Sequence, residues 1–346
     1  MTPPRAPAES FLSVSPRTVS ASIEQPKSHK KTQLMLLQLL LTLGAFGYLL
    51  HISNLRALAQ TFQRAPIWSI PCATGMLLAV MFAGTLRWSM LMRAYGAKHV
   101  PGVGYLFRLQ LIGLFYNMMP GAVGGDVLRG VVSRHAFGAQ GMSAGLTVVL
   151  VERVFGLIAL MLLVVSVLSF HPINGLSLSP WVFVAGVFGS VCCLAGIALG
   201  RRIAPHLPGA LARRAATLPE LSRPSVFVAA LAMSLINQAF VGVMGHLAIG
   251  PLAPQVRLVD SLVLSPLAFA AIFFPLTVAG AGTRDAAMVA LYGLLGVGKE
   301  IALLASLEIL LAYVLVAVLG GVLSLMSPLR DEAADDADLA PEAARR

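Results

Sequence analysis

Acidic residues are scarce in this chain, and most of them sit at its ends. Of 346 residues only 15 are Asp or Glu; two fall in the first 32 residues and six in the last 19. Asp126, Glu152, Glu220, Asp260, Asp285, Glu300 and Glu308 serve everything between. Charged residues amount to 12% of the chain, about half the share a soluble protein carries. That excludes a water-soluble globule. Cysteine is nearly absent too. Cys72, Cys192 and Cys193 lie in apolar stretches without metal-ligand spacing, which excludes a disulfide framework and reads as packing thiols. There is no HExxH, no P-loop and no GxSxG, and the seven histidines form no ligand spacing. ATP hydrolysis, metal catalysis and serine-hydrolase chemistry therefore have no footing, and no cofactor is implied.

What the chain has is apolar length. It is 57% hydrophobic with a mean hydropathy of +0.82, the composition of an integral membrane protein. The net charge of +10 is then no nucleic-acid footprint. Its basic residues flank apolar segments, where they orient the chain and meet anionic lipid headgroups.

Crossing the hydrocarbon takes about 20 apolar residues. Six full spans are predicted by that ruler, at 34–51, 67–86, 142–170, 181–199, 225–250 and 301–326. Two further apolar stretches, 105–128 and 259–296, are interrupted. Residues 1–32 read as a disordered cytoplasmic tail, 33–327 as one membrane domain and 328–346 as an acidic cytoplasmic tail. The run from Leu34 is too long for a signal-peptide core and lacks a cleavage site, so it reads as a retained span. Lys and Arg cluster before the first span, after the second and around 201–223, whereas the segment His171–Pro180 has none. The positive-inside rule then puts both termini in the cytoplasm, provided each interrupted stretch enters and leaves on one side. The fold class is all-α and polytopic, with two broken or re-entrant segments.

Those two segments share a pattern. Pro120-Gly-Ala-Val-Gly-Gly-Asp-Val-Leu-Arg129 and Pro275-Leu-Thr-Val-Ala-Gly-Ala-Gly-Thr-Arg284 agree at Pro120/Pro275, Val123/Val278, Gly125/Gly280 and Arg129/Arg284. Opposite entry directions suggest an inverted repeat. In the first, Pro120 breaks the helix, and Gly121, Gly124 and Gly125 allow close backbone approach. A helix restarting near Asp126 would turn free N–H groups toward an anion, and Arg129 would fork onto a phosphate. The plainer account pairs Asp126 with Arg129 at i,i+3 and gives the glycines to packing. In the second, Gly280 and Gly282 loosen the backbone, Thr283 is the expected N-cap of a short helix from Ala286 to Leu295, and Arg284 would be a second phosphate-binding cation. The plainer account is a capped half-helix with a local Arg284–Asp285 pair.

Glu152-Arg153 falls inside an apolar run, so both charges must pair or face the interior. Glu152 is a candidate partner for Arg129, Arg153 or Arg284. Glu308 has no neutralising neighbour in sequence; it is either a protonatable group or the partner of an arginine on another helix. Asn237 and Gln238 read as interhelical hydrogen-bonding groups, His246 as interfacial, and Arg87-Trp88 as an interface anchor.

Three separated blocks together resemble the flippase-like membrane domain of lysylphosphatidylglycerol synthases: Asn117…Pro120-Gly121…Gly124-Gly125-Asp126…Arg129, then Val151-Glu152-Arg153, then Gly280-Ala-Gly282-Thr-Arg284-Asp285. The likeness runs over 34–327 in the same order. Asp285 stands where the family usually has Glu, and Glu308 where it has Arg. The resemblance implies a polytopic domain that moves a lipid or lipid-linked headgroup between leaflets. Residues 328–346 leave no room for the aminoacyl-transfer domain of the full-length synthases, so that enzymatic activity is not expected. Three readings stand at this point. The first is a translocase holding an anionic headgroup between the broken helices. The second is a scaffold for a separately encoded glycosyl- or acyltransferase. The third is an intramembrane enzyme using Asp126, Glu152 and Asp285.

Overall fold

The computed structural model describes residues 28–326 except 98, 119–123, 134–135, 138–140, 174–177, 207, 210–220, 274–276 and 278–279. Pro120, Gly121, Val123, Pro275, Val278 and the tails beyond residues 28 and 326 lie outside the described residues. The described chain is all-helical, without strands: α1 (Ser28–Ile52), α2 (Leu55–Arg64), α3 (Ser69–Ala94), α4 (Val103–Asn117), α5 (Gly124–Ser133), α6 (Gly141–Phe170), α7 (Pro180–Ile203), α8 (Pro224–Ile249), α9 (Leu258–Phe269), α10 (Thr283–Gly293) and α11 (Lys299–Met326).

Five of these, α3, α6, α7, α8 and α11, are long and apolar enough to cross a membrane. Their starts follow local chemistry. Pro180 and Pro224 open α7 and α8, where the missing N–H costs nothing and the fixed φ suits a helix. The sixth predicted span, α1, is apolar over Leu36–Leu49, and it begins at Ser28, so Lys30 and Lys31 belong to a helix rather than to the tail. A short helix, α2, stands where none was expected. Asn54 caps it, its side-chain oxygen accepting the N–H groups of Arg56 (3.1 Å) and Ala57 (3.3 Å). It exposes Leu55 and Phe62, as an interfacial helix does.

The predicted second span stopped at residue 86, but α3 runs on to Ala94. A buried arginine can stay inside a span when it has a partner, and Arg87 has one. The end of α3 docks on the start of α8, where Ala94 accepts hydrogen bonds from the N–H groups of Ser222 (2.8 Å) and Arg223 (3.2 Å). These two helices are antiparallel partners over their length. At the opposite face, the N–H of Asn54 donates to Glu300 at the start of α11 (3.3 Å).

The two interrupted stretches are helical hairpins that enter from these opposite faces. α4 leaves the face where α3 ended, and α5 returns to it. α9 leaves the other face, and α10 returns there to feed α11. Pro266 near the end of α9 removes a backbone donor, and the helix gives way to a short 3-10 turn, Ala270–Phe273.

The buried apolar residues form two clusters at different depths. One gathers Leu77, Ile173, Ile249, Val256, Met288 and Tyr292 toward the α11 entry face. The other gathers Trp88, Leu91, Leu106, Val148, Phe155 and Phe227 toward the opposite face. A layer of polar and charged side chains lies between them.

Candidate functional site

That layer surrounds a cavity of about 250 Å³. Val80 and Met81 of α3, Gly156 of α6, Asn237 and Gln238 of α8 and Tyr313 of α11 line it. Each sits near the middle of its helix, so the cavity lies at half the depth of the spans. Arg87, Asp126, Arg129, Glu152 and Arg153 supply its charges, and Gln110 and Asn117 further amides. Arg153 lies at the rim, its side chain 45% exposed.

Glu152, nearly fully buried, is the hub. One carboxylate oxygen takes a hydrogen bond from Arg87 (2.9 Å), and the other pairs with Arg129. Arg87 also donates to the Ser234 hydroxyl (3.3 Å). Arg153 pairs with Asp126, and Arg129 Nη1 lies 3.8 Å from Asp126. Of the three partners foreseen for Glu152, the structure supplies Arg129. Arg153 turns to Asp126, and Arg284 is elsewhere. Arg87 was read as an interface anchor and is instead a charged wall of the cavity. Trp88, fully buried, lies under Arg129, with the guanidinium carbon 4.3 Å from its ring centre.

The restart of α5 differs from expectation in one consequential way. It begins at Gly124, and the Gly125 N–H is not free for a ligand: Asn117, the last residue of α4, accepts it at 3.0 Å. A Cβ at Gly125 would overlap the carbonyl oxygen of Gly113. Gly125 therefore lets α5 lie against α4, the packing role, while Asn117 ties the hairpin across its break.

The second motif repeats that logic. Gly282, at φ +90°, is the N-cap of α10, displacing Thr283 from that role, and its N–H donates to Asp285 at 2.8 Å. The Thr283 hydroxyl instead meets Thr277 (3.0 Å) and the Gly280 carbonyl (3.2 Å). α10 starts at Thr283 and ends at Gly293 rather than covering Ala286 to Leu295.

Arg284 is 1% exposed and does not line the cavity. Its guanidinium is held by Asp285 (2.7 Å) and by the Ser306 carbonyl (3.2 Å), with the Ser306 hydroxyl also on Asp285. It lies 5.4 Å from the Phe269 ring centre and 5.8 Å from that of Tyr313. Those two side chains do line the cavity. The two motif arginines thus do not meet in one chamber: Arg129 faces it, and Arg284 sits behind its aromatic wall. A fully desolvated guanidinium needs a carboxylate and a carbonyl more than it needs a ligand. Gly280 and Gly282 stay with it, away from the cavity.

Glu308 is 4% exposed and has no ion pair among the described residues; one of its carboxylate oxygens has no hydrogen-bond partner. Asn237 and Gln238 bridge helices, donating to Val80 O (2.9 Å) and Gly156 O (2.8 Å). His246 approaches Ser261 at 3.4 Å near the end of α8. Cavity residues that sequence reading passed over include Gln110, Phe269 and Tyr313. Only the rarity of a glutamine in an apolar run pointed to the first.

No curated protein matches the chain. A family model does, over residues 35–321, which takes in both hairpins, the charged network and every span from α1 to α11. The chain belongs to the family described as the lysylphosphatidylglycerol synthase TM region, and it is a multi-pass membrane protein.

Proposed function

We propose that the protein binds an anionic lipid headgroup in the cavity at half-depth and carries it between leaflets. One observation carries this reading. Three arginines face two carboxylates around the cavity, leaving one positive charge in surplus within apolar surroundings. A charge at that depth is costly unless paired, and an anionic headgroup is the partner a bilayer offers. The cavity holds a headgroup while leaving acyl chains in lipid. Its rim at Arg153 is the accessible edge.

Arg129 is the binding cation of this reading, pre-oriented by Glu152 and Trp88, with its Nε atom unpartnered. Arg93 and Arg223 lie together at the docked ends of α3 and α8, which supports turning that face to the cytoplasm. The first hairpin then opens from the cytoplasm and the second from outside, as alternating access requires. On this reading the protein catalyses no covalent step, and lipid is its partner.

The test is movement of fluorescent anionic lipid in vesicles reconstituted with the purified protein. Arg129→Ala is expected to lower the rate at least tenfold while the protein still elutes as a folded species. A wild-type rate in that variant rejects the site, and no movement by the native protein rejects the function.

A further inference from the structure

We infer that the cavity selects a headgroup bearing hydroxyl groups beside its phosphate, a phosphorylated polyol, and discriminates against one bearing an ammonium. The inference rests on the anionic-headgroup reading above and goes on to name the substrate class.

Its basis is a set of acceptors without donors. The Asn237 amide nitrogen donates to Val80 O and the Gln238 amide nitrogen to Gly156 O. Those bonds fix which way each carboxamide is turned, an assignment that otherwise depends on the surrounding network. Each is left with its carbonyl oxygen, which accepts nothing from the described residues. Gln110 adds a buried carbonyl oxygen with no partner. Its only protein contact on the nitrogen side is the Met81 sulfur at 4.0 Å. All three residues line the same cavity as Arg87 and Arg129.

They also lie together. Gly84 leaves the space: a Cβ there would come within 3.4 Å of the Gln110 amide nitrogen and 3.6 Å of that of Asn237. An ionised phosphate offers only acceptors, so a bare phosphate headgroup satisfies the arginines and leaves the three oxygens unpaired. The donors must come from the rest of the headgroup. Hydroxyls and ammonium groups both qualify chemically, and electrostatics decides between them. With one positive charge already in surplus and little water to screen it, an ammonium in this cavity is repelled. An uncharged polyol gains the hydrogen bonds without that cost.

The experiment compares short-chain phosphatidylglycerol, phosphatidylinositol, phosphatidic acid and phosphatidylethanolamine. Binding to the purified full chain in detergent is followed by calorimetry, with glycerol 3-phosphate as a soluble arm. The two polyol lipids are expected to bind about tenfold tighter than phosphatidic acid, the effect of one or two well-made hydrogen bonds. Phosphatidylethanolamine is expected to bind weakest. Gln110→Met, which loses no protein hydrogen bond, is expected to cut the preference over phosphatidic acid to threefold or less without changing phosphatidic acid affinity. The comparison on the native protein stands even if Asn237→Leu or Gln238→Leu fails to fold.

Phosphatidic acid binding as tightly as the polyol lipids overturns the inference but leaves the anionic-headgroup reading intact. So does tightest binding by phosphatidylethanolamine. Binding of none of the four overturns both. Glycerol 3-phosphate binding as tightly as the lipids supports polyol recognition and assigns it to a soluble source.

Discussion

The guanidinium of Arg129 lies 4.3 Å above the centre of the Trp88 ring, joining the first broken hairpin to the interior of α3. Trp88 has no exposed surface, so the contact is fully desolvated. A desolvated cation–π contact of this kind is worth about 2 kcal/mol. Trp88→Phe keeps a weaker ring face and is expected to lower the melting temperature less than Trp88→Leu does. Thermal unfolding in detergent measures both, and equal losses would show that the ring face counts for nothing.

Glu152 holds two arginines at once. Glu152→Gln leaves Arg87 and Arg129 close together with no shared counter-ion, which is expected to cost about 3–5 kcal/mol of stability. The cavity then has three arginines against one carboxylate, so added anionic lipid is expected to restore more of the melting temperature than it adds to the native protein. An unchanged lipid response in the variant would separate the network from the binding site.

Two glycines face one another where α4 meets α5, and their tolerances differ. A Cβ on Gly113 comes to 3.4 Å from the Gly125 carbonyl oxygen, an accommodating distance, whereas a Cβ on Gly125 overlaps the Gly113 carbonyl. Gly125→Ala is expected to destabilise by about 1–3 kcal/mol, and Gly113→Ala by much less. The same order should appear in the yield of monodisperse protein.

Gly282 carries two constraints. Its φ of +90° disfavours any L side chain, and a Cβ would stand 2.5 Å from the Ala45 Cβ of α1. Gly282→Ala is expected to lower stability on both counts, the backbone strain accounting for about 1–2 kcal/mol. Adding Ala45→Gly should recover the steric part and leave the backbone part. Full recovery in the double variant would show that backbone strain plays no role.

The places where sequence reasoning missed share a physical cause. Arg87-Trp88 looks like a membrane-interface pair because the residues one helical turn away are apolar. What makes a charge tolerable there is Glu152, which lies 65 positions further along the chain. The glycine amides of both motifs looked like free anion donors. Asn117 accepts one from across the hairpin and Asp285 the other from within the next turn. The Asp285 capping contact is local and lies within reach of sequence reading; the Asn117 contact depends on how the hairpin closes.

The amino-acid order by itself determined that this is an all-helical membrane protein with two interrupted segments. Hydropathy and helix-breaking residues act over one or two turns, so apolar length and proline–glycine breaks show along the chain. Tertiary structure alone decided which charge meets which. It gave Arg129 and Arg87 to Glu152, drew Arg153 to Asp126 and sealed Arg284 behind Phe269 and Tyr313. In a medium of low dielectric every buried charge must find a partner, and the identity of that partner depends on how distant helices pack.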